Sequence, residues 1–263
     1  MIFDTHAHYD DPSFDEDREG LIRSFPEKGV CNAVNISATV DSVYDTIELT
    51  KKYDILFGAL GVHPEGLSEL TDDVLLDIKK LCIENAVYNG GKIVAVGEIG
   101  LDYSYDDHDK ALQKKWFEAQ LEMAREVKLP VVIHSRDAAK DTYDIMADKN
   151  CAEIGGIVHC YSYSKEMAAK FLDMGFYFGI GGVLTFKNAK KLVEVCEYLP
   201  LESIVLETDS PYLSPDPFRG KRNDSSMIKY VAQKLSLIKG IDTEQILRVT
   251  RNNALKVYGI CQP

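Results

Sequence analysis

The sequence predicts a single-domain α/β fold, a TIM-type (β/α)8 barrel, on three observations. About eight short apolar runs alternate with amphipathic helical patterns along 263 residues, the repeat a parallel barrel requires. The runs are β-branched and nearly continuous, as strands buried on both faces are. No glycine-rich phosphate loop follows the first run, as a doubly wound open sheet would more often have.

Taken in order, the runs are Ile2–Phe3, Val30–Ile36, Ile55–Val62, Ile93–Val96, Leu129–Ile133, Gly156–Val158, Phe176–Ile180 and Ile204–Leu206. The first helical pattern starts from Asp41 as cap and reaches Lys52. Thr71 caps the next, which continues to Ala86 behind the acidic start that a helix N-terminus favours. Lys110–Val127 is long and amphipathic and carries Trp116, the one tryptophan. The remaining helices are expected at Ala138–Ala147, Lys165–Met174, Ala189–Tyr198, Ser226–Ile238 and Thr243–Tyr258. No linker or repeat divides the chain, so residues 1–263 read as one unit. The helices must turn polar faces to water outside the barrel, which makes a monomer the expected state.

Composition narrows the function classes. The net charge is −12 and the pI about 5.0, which is not the footprint of a protein that grips nucleic acid by bulk charge. A polyanionic substrate would need a local basic patch or bound metal. No apolar run approaches the roughly 18 residues of a membrane span, and no basic-then-apolar leader opens the chain, so a cytoplasmic location is expected. The six cysteines are scattered without a Cys-x-x-Cys pair, against a disulfide framework or zinc knuckle. Cys160 follows a histidine, but a neighbouring strand residue faces away from its predecessor, so no metal role is assigned to it.

The histidines and certain acids concentrate where barrel chemistry sits. In Asp4-Thr5-His6-Ala7-His8 the alternation of a strand points His6 and His8 the same way, as two ligands of one divalent cation would need. His63 follows Leu60-Gly61-Val62, Glu98 follows Val94-Ala95-Val96-Gly97, His134 follows Val131-Val132-Ile133, His159 follows Ile157-Val158, and Asp209 follows Val205-Leu206-Glu207-Thr208. Each closes a different run, and in a barrel those C-terminal ends converge on one mouth. Imidazoles with carboxylates suit zinc, manganese or magnesium. Glu98 can bridge two such ions, and Asp209 can bind one and take a proton from water. His108 lies in a polar loop and is expected to be solvated.

After Asp209 comes a stiff, proline-rich loop with Arg219, Lys221 and Arg222, local positive charge suited to phosphate. Tyr212 and Phe218 are placed to stack on a base or sugar. Arg136, two residues past His134, is a further phosphate candidate. Glu207 shares a face with Asp209 and is expected to orient a ligand or pair with an arginine.

These motifs, with Gly61-Val62-His63-Pro64, Gly97-Glu98-Ile99-Gly100-Leu101-Asp102-Tyr103, His134-Ser135-Arg136-Asp137, His159-Cys160-Tyr161-Ser162, Glu207-Thr208-Asp209-Ser210-Pro211-Tyr212-Leu213 and Arg219-Gly220-Lys221-Arg222-Asn223, resemble in order those of the TatD family of metal-dependent deoxyribonucleases, within the amidohydrolase superfamily. The resemblance spans essentially the whole chain. It implies two divalent ions held by His6, His8, Glu98, His134, His159 and Asp209, with Glu98 bridging and His63 meeting substrate phosphate. It implies DNA as substrate, cleaved by metal-activated water, commonly as a 3′–5′ exonuclease on single-stranded or damaged DNA. The sequence departs at Glu65, where many relatives have a second histidine, and at Ser225, where a proline is frequent. The alternative is hydrolysis of a small-molecule C–N or ester bond, or of an aminoacyl-tRNA ester. Many amidohydrolase barrels use a modified lysine on strand four; here that position is Glu98, and Lys92 stands at the strand's start.

Overall fold

The computed structural model describes residues 1–104 and 109–260. His108 and Cys261 lie outside the described residues. Eight parallel strands run in sequence order around a barrel: β1 (Ile2–Ala7), β2 (Val30–Ile36), β3 (Leu56–Ala59), β4 (Ile93–Asp102), β5 (Val131–Arg136), β6 (Gly156–Val158), β7 (Tyr177–Ile180) and β8 (Ile204–Leu206). The helices are α1 (Arg18–Arg23), α2 (Val40–Lys52), α3 (Asp72–Asn85), α4 (Lys110–Val127), α5 (Ala139–Asp148), α6 (Lys165–Asp173), α7 (Lys190–Tyr198), α8 (Ile228–Lys239) and α9 (Thr243–Val257). No helix among the described residues is long and apolar enough to cross a membrane.

The differences from expectation have local causes. Helix α2 is capped by Thr39 rather than Asp41: the Thr39 hydroxyl accepts from Ser42 N, and Ser42 Oγ accepts from Thr39 N. This reciprocal pair is a capping box in which serine takes the usual acidic place. Strand β3 stops at Ala59 instead of Val62 because Val62 leaves the ladder; the Gln120 amide of α4 binds both its N–H and its C=O. Strand β4 outlasts its apolar run, pairing on to Asp102 opposite Arg136. Helix α1 was not expected, and nothing local announces it. Asp17 stands at its N-cap but does not cap it, because that carboxylate is held by Arg222.

Strand alternation sets a floor beneath the mouth. Val132 shares a face of β5 with His134, while β6 and β8 end at Val158 and Leu206, immediately before His159 and Glu207. Phe3, Val34, Val94, Val132, Ile157 and Val205 are all buried in one apolar cluster with Leu255 and Tyr258 from the C-terminal segment. The polar groups therefore stand directly above a dry layer.

The seam between β1 and β8 is closed largely by one side chain. Asp4 is fully buried. Its Oδ1 accepts from Thr208 N at 3.0 Å and His6 N at 3.2 Å, and its Oδ2 from Thr208 Oγ1 at 2.7 Å and Ser225 Oγ at 2.6 Å. Backbone bonds from Asp209 N to His6 O and from His8 N to Ser210 O complete the join. Ser225 also donates its N–H to Tyr9 Oη. A proline there could offer neither bond, so the departure at Ser225 belongs to this closure. Asp4→Ala removes the acceptor shared by four buried donors, leaving Thr208 only long contacts to His6 O and Ser225 its Tyr9 contact, and is expected to cost about 3–5 kcal/mol. Urea denaturation checks it, and a loss below about 1 kcal/mol would contradict the closing role.

Candidate metal centre

A cavity of about 580 Å³ opens at the C-terminal rim, and His8, His63, Glu98, His134, His159 and Asp209 all line it. His6 lies beneath, fully buried. Glu98 stands at the centre and is 4% exposed. Its Oε2 faces His6 Nε2 at 3.4 Å and His8 Nε2 at 3.9 Å. Its Oε1 faces His134 Nδ1 at 2.7 Å, His159 Nε2 at 3.7 Å and His63 Nε2 at 3.8 Å. Asp209 closes the ring, with Oδ1 at 3.5 Å from His8 Nε2, 3.6 Å from His159 Nε2 and 3.7 Å from His6 Nε2. Asp209 has a left-handed backbone, φ 60°, which turns its carboxylate inward after β8 has ended.

This donor set fits divalent cations. Ligands about 2.1 Å from one ion lie roughly 3–3.5 Å apart, and the distances around His6, His8, Glu98 and Asp209 fall close to that range. His8 Nδ1 is 2.8 Å from Ile36 O. A carbonyl only accepts, so Nδ1 carries the proton and neutral His8 aims the Nε2 lone pair inward. His8 Nε2 lies 3.1 Å from His6 Nε2. Two such lone pairs repel unless a proton or a cation lies between them.

Without a cation, protons do that work. Burial opposes charge on His8, but its bond to Asp209 and the Glu98 charge outweigh it and lift the pKa to about 9. His134 also rises to about 9 against burial, between Glu98 and Asp102. His159 does the same beside Glu207 and Glu98. Burial is likewise overcome at Glu98, which the surrounding imidazoles hold well below the usual carboxylate range. Asp209 is lowered too, its bond to His8 outweighing burial. Burial, with repulsion from neighbouring imidazoles, pushes His6 down. His63 differs: burial drives it down to about 3, and its Nδ1 accepts from Glu65 N at 3.1 Å. It is therefore neutral, with Nε2–H pointing to the cavity as a donor.

A pH dependence follows for the metal-free protein. A histidine whose pKa is higher folded than unfolded adds stability that is whole below about 6.5 and gone above about 9. His6 and His63 are shifted downward and act only below pH 6.5. The metal-free melting temperature is expected to fall by several degrees from pH 6.5 to 9, and saturating Mn²⁺ should flatten that fall. A metal-free profile flat across this window in calorimetry would contradict it.

Two supporting carboxylates stand behind the ring. Glu207, 1% exposed, has Oε1 at 3.1 Å from His159 Nδ1 and accepts from Cys160 N at 2.7 Å. Of the two expected roles, orienting a ligand or pairing with an arginine, this position favours the first, with His159 as the partner. Only glycine fits at 179, since a Cβ there would lie 2.0 Å from Glu207 Oε2. Asp102 Oδ2 is 2.9 Å from His134 Nε2. The sequence reading assigned Asp102 no role; the available signal was that it lies four residues past Glu98 on one strand. Cys160 has its Sγ within 4.8 Å of donor atoms of His159 and Glu207, nearer than strand alternation suggested. The strand has ended at Val158, and Cys160 turns to a positive φ of 44°. Carboxylates that orient a ligating histidine are typically worth 10–100-fold in metal affinity. Glu207→Gln is expected to weaken Zn²⁺ binding by about that factor in competition with a chelating dye, and an unchanged affinity would contradict it.

The outer candidates separate. Arg136 and Tyr212 line the same cavity, as does Glu65. Tyr212 donates to Asp11 Oδ2 at 2.8 Å. Arg219, Lys221 and Arg222 do not line it; they line a neighbouring cavity. Arg222, expected as a phosphate contact, has its guanidinium in a two-pronged pair with Asp17 at 2.6 and 2.8 Å and over the Phe14 ring. Phe218 packs against Tyr230.

A family model described as TatD related DNase matches residues 3–259. The "metal-dependent hydrolase YabD" of Bacillus subtilis is 38% identical over 260 residues, covering 99% of this chain and 100% of its own. The "metal-dependent hydrolase YcfH" of Escherichia coli K12 is 32% identical over 263 residues, covering 99% and 96%. The crystal structure of YjjV, a TatD homologue of Escherichia coli K12, superposes with a TM-score of 0.91 at 30% identity, covering 99% of this chain and 98% of that one. A lactonase variant of Deinococcus radiodurans shares the fold, with a TM-score of 0.67 at 15% identity. With that agreement along nearly its full length, and a rim of imidazoles and carboxylates at the barrel mouth, the chain belongs to the TatD family and is a metal-dependent hydrolase.

Proposed function

We propose that the chain hydrolyses phosphodiester bonds of DNA, removing nucleotides from the 3′ end of single strands. The observation that carries this is Glu98, one carboxylate whose two oxygens face different imidazole sets. That arrangement suits a pair of ions on the two sides of a phosphoryl group. His6, His8, Glu98 and Asp209 would hold one ion, and Glu98, His134 and His159 the other. Divalent ions bound there supply Lewis acidity toward water and phosphoryl oxygens.

The chain's own groups do the rest. Asp209, ionised and acceptor-only, receives the proton of the attacking water. His63 donates Nε2–H, and Arg136 its guanidinium, to the phosphate oxygens. Glu207 and Asp102 hold the rings of His159 and His134, and the Ile36 carbonyl holds His8. The dry floor under the rim strengthens each of these interactions. Lysine chemistry on strand four has no support here, since Lys92 Nζ is bonded to Tyr53 O at 3.1 Å.

The test is purified protein with Mg²⁺, Mn²⁺ or Zn²⁺ and a 5′-labelled single-stranded oligonucleotide. The expected result is a ladder shortening from the 3′ end that chelator abolishes. Turnover of a lactone or anilide with no cleavage of DNA under any of the three metals would overturn the reading.

A further inference from the structure

Beside the metal cavity lies a second one of about 560 Å³, lined by Ser13, Phe186, Tyr212, Arg219 and Lys221 among others. Tyr212 lines both cavities. Its bond to Asp11 makes it a fixed ridge between them. The Arg219 guanidinium lies 4.1 Å over the Phe186 ring, and Lys221 Nζ stands 5.8 Å over the Phe218 ring. Among the described residues, neither cation has a carboxylate within salt-bridge distance. Both line one concavity of a chain whose net charge is −12. Arg222 is spent on Asp17 and anchors the loop.

Besides its candidate ligands, the metal cavity is lined by the carboxylates Asp10, Asp11, Asp41, Asp45 and Glu65, of which Asp11 sits at the ridge and accepts the Tyr212 hydroxyl. A phosphodiester backbone running along those carboxylates is repelled, whereas past Tyr212 it reaches Arg219 and Lys221. The cavity also falls within the roughly 300–1,000 Å³ of small-ligand sites, enough for one nucleotide unit.

We infer that this second cavity is a nucleotide subsite: Arg219 and Lys221 hold a backbone phosphate of the strand next to the one being cut, Tyr212 supports its sugar or base, and the strand leaves the metal centre on this side only. The inference rests on the phosphodiesterase reading and adds a direction and a length requirement to it. Phe186 is a positioning residue, holding the Arg219 guanidinium from beneath.

The test is the ratio of kcat/KM for a single-stranded thymidine hexanucleotide to that for the dinucleotide, which normalises each protein against itself. The wild type is expected to show a ratio of roughly tenfold or more, carried by KM. In Arg219→Gln/Lys221→Gln it should collapse toward one, and in Phe186→Ala it should fall in between. Binding of a fluorescein-labelled hexanucleotide to the metal-free protein, followed by anisotropy, should lose about 0.7 from its log–log salt slope in the double variant, the share of the one phosphate these two cations hold on a single strand. A wild type that cleaves DNA while the double variant keeps both its ratio and its salt slope overturns this inference alone. A wild type that neither cleaves nor binds the hexanucleotide overturns the phosphodiesterase reading and this subsite with it.

Discussion

Glu98→Gln is expected to lower metal-dependent hydrolysis by about 10²–10³-fold or more and to reduce bound metal to one ion or fewer per chain. The amide keeps the shape of the carboxylate but removes its charge and turns one of two acceptors into a donor. That donor would face either the His6–His8 pair or His134, depending on the rotamer. Either way one donor set loses its anionic member, and the buried imidazoles lose the charge that offsets them. The metal-free variant should also show a weaker dependence on pH between 6.5 and 9, because Glu98 raises His134 and contributes, after Asp209 and Glu207, to raising His8 and His159. Elemental analysis, steady-state kinetics and calorimetry read the three effects separately. A variant retaining more than about a tenth of wild-type activity with full metal content would sink the bridging role.

Asp209→Asn is the second large effect. Asp209 touches His6, His8 and His159 through one oxygen, and its position is fixed by its own backbone bond to His6 O. Asparagine keeps the reach and loses the proton acceptor. A positioned general base contributes about 10²–10⁴-fold, so kcat is expected to fall by that factor while oligonucleotide KM changes little. The acid limb of the kcat–pH profile should disappear with it. Retention of that limb in the variant would assign the proton to another group. Asp102→Asn is a useful contrast, since Asp102 contacts His134 Nε2 and none of the groups assigned to the attacking water, and its loss should appear in metal affinity before kcat.

Much of this was legible because it was local. The helix expected at Lys110–Val127 has those bounds in the structure, its apolar stripe being set by residues three and four apart. The strands were visible as apolar runs, and the groups closing them were visible as breaks in those runs. Where polar residues continue a strand, as in β4 beyond Val96, the pattern ended before the strand did, because ladder pairing with β5 carries it on. The basic loop was read by composition, which registers charge but not its partners. Three cations that look alike in sequence divide into one bound to Asp17 and two that, among the described residues, have no carboxylate within salt-bridge distance.

The sequence by itself determined the barrel and the set of chemical groups at its rim, since the periods of two and 3.6 residues and the punctuation of each run are properties of neighbouring residues. Tertiary structure alone decided the pairings: Glu207 with His159, Asp102 with His134, Arg222 with Asp17, and Asp4 across the seam to Thr208 and Ser225. Those partners lie far apart along the chain and meet only once the barrel has closed. Which side chain a charge finds is then set by three-dimensional proximity and burial, which no local pattern encodes.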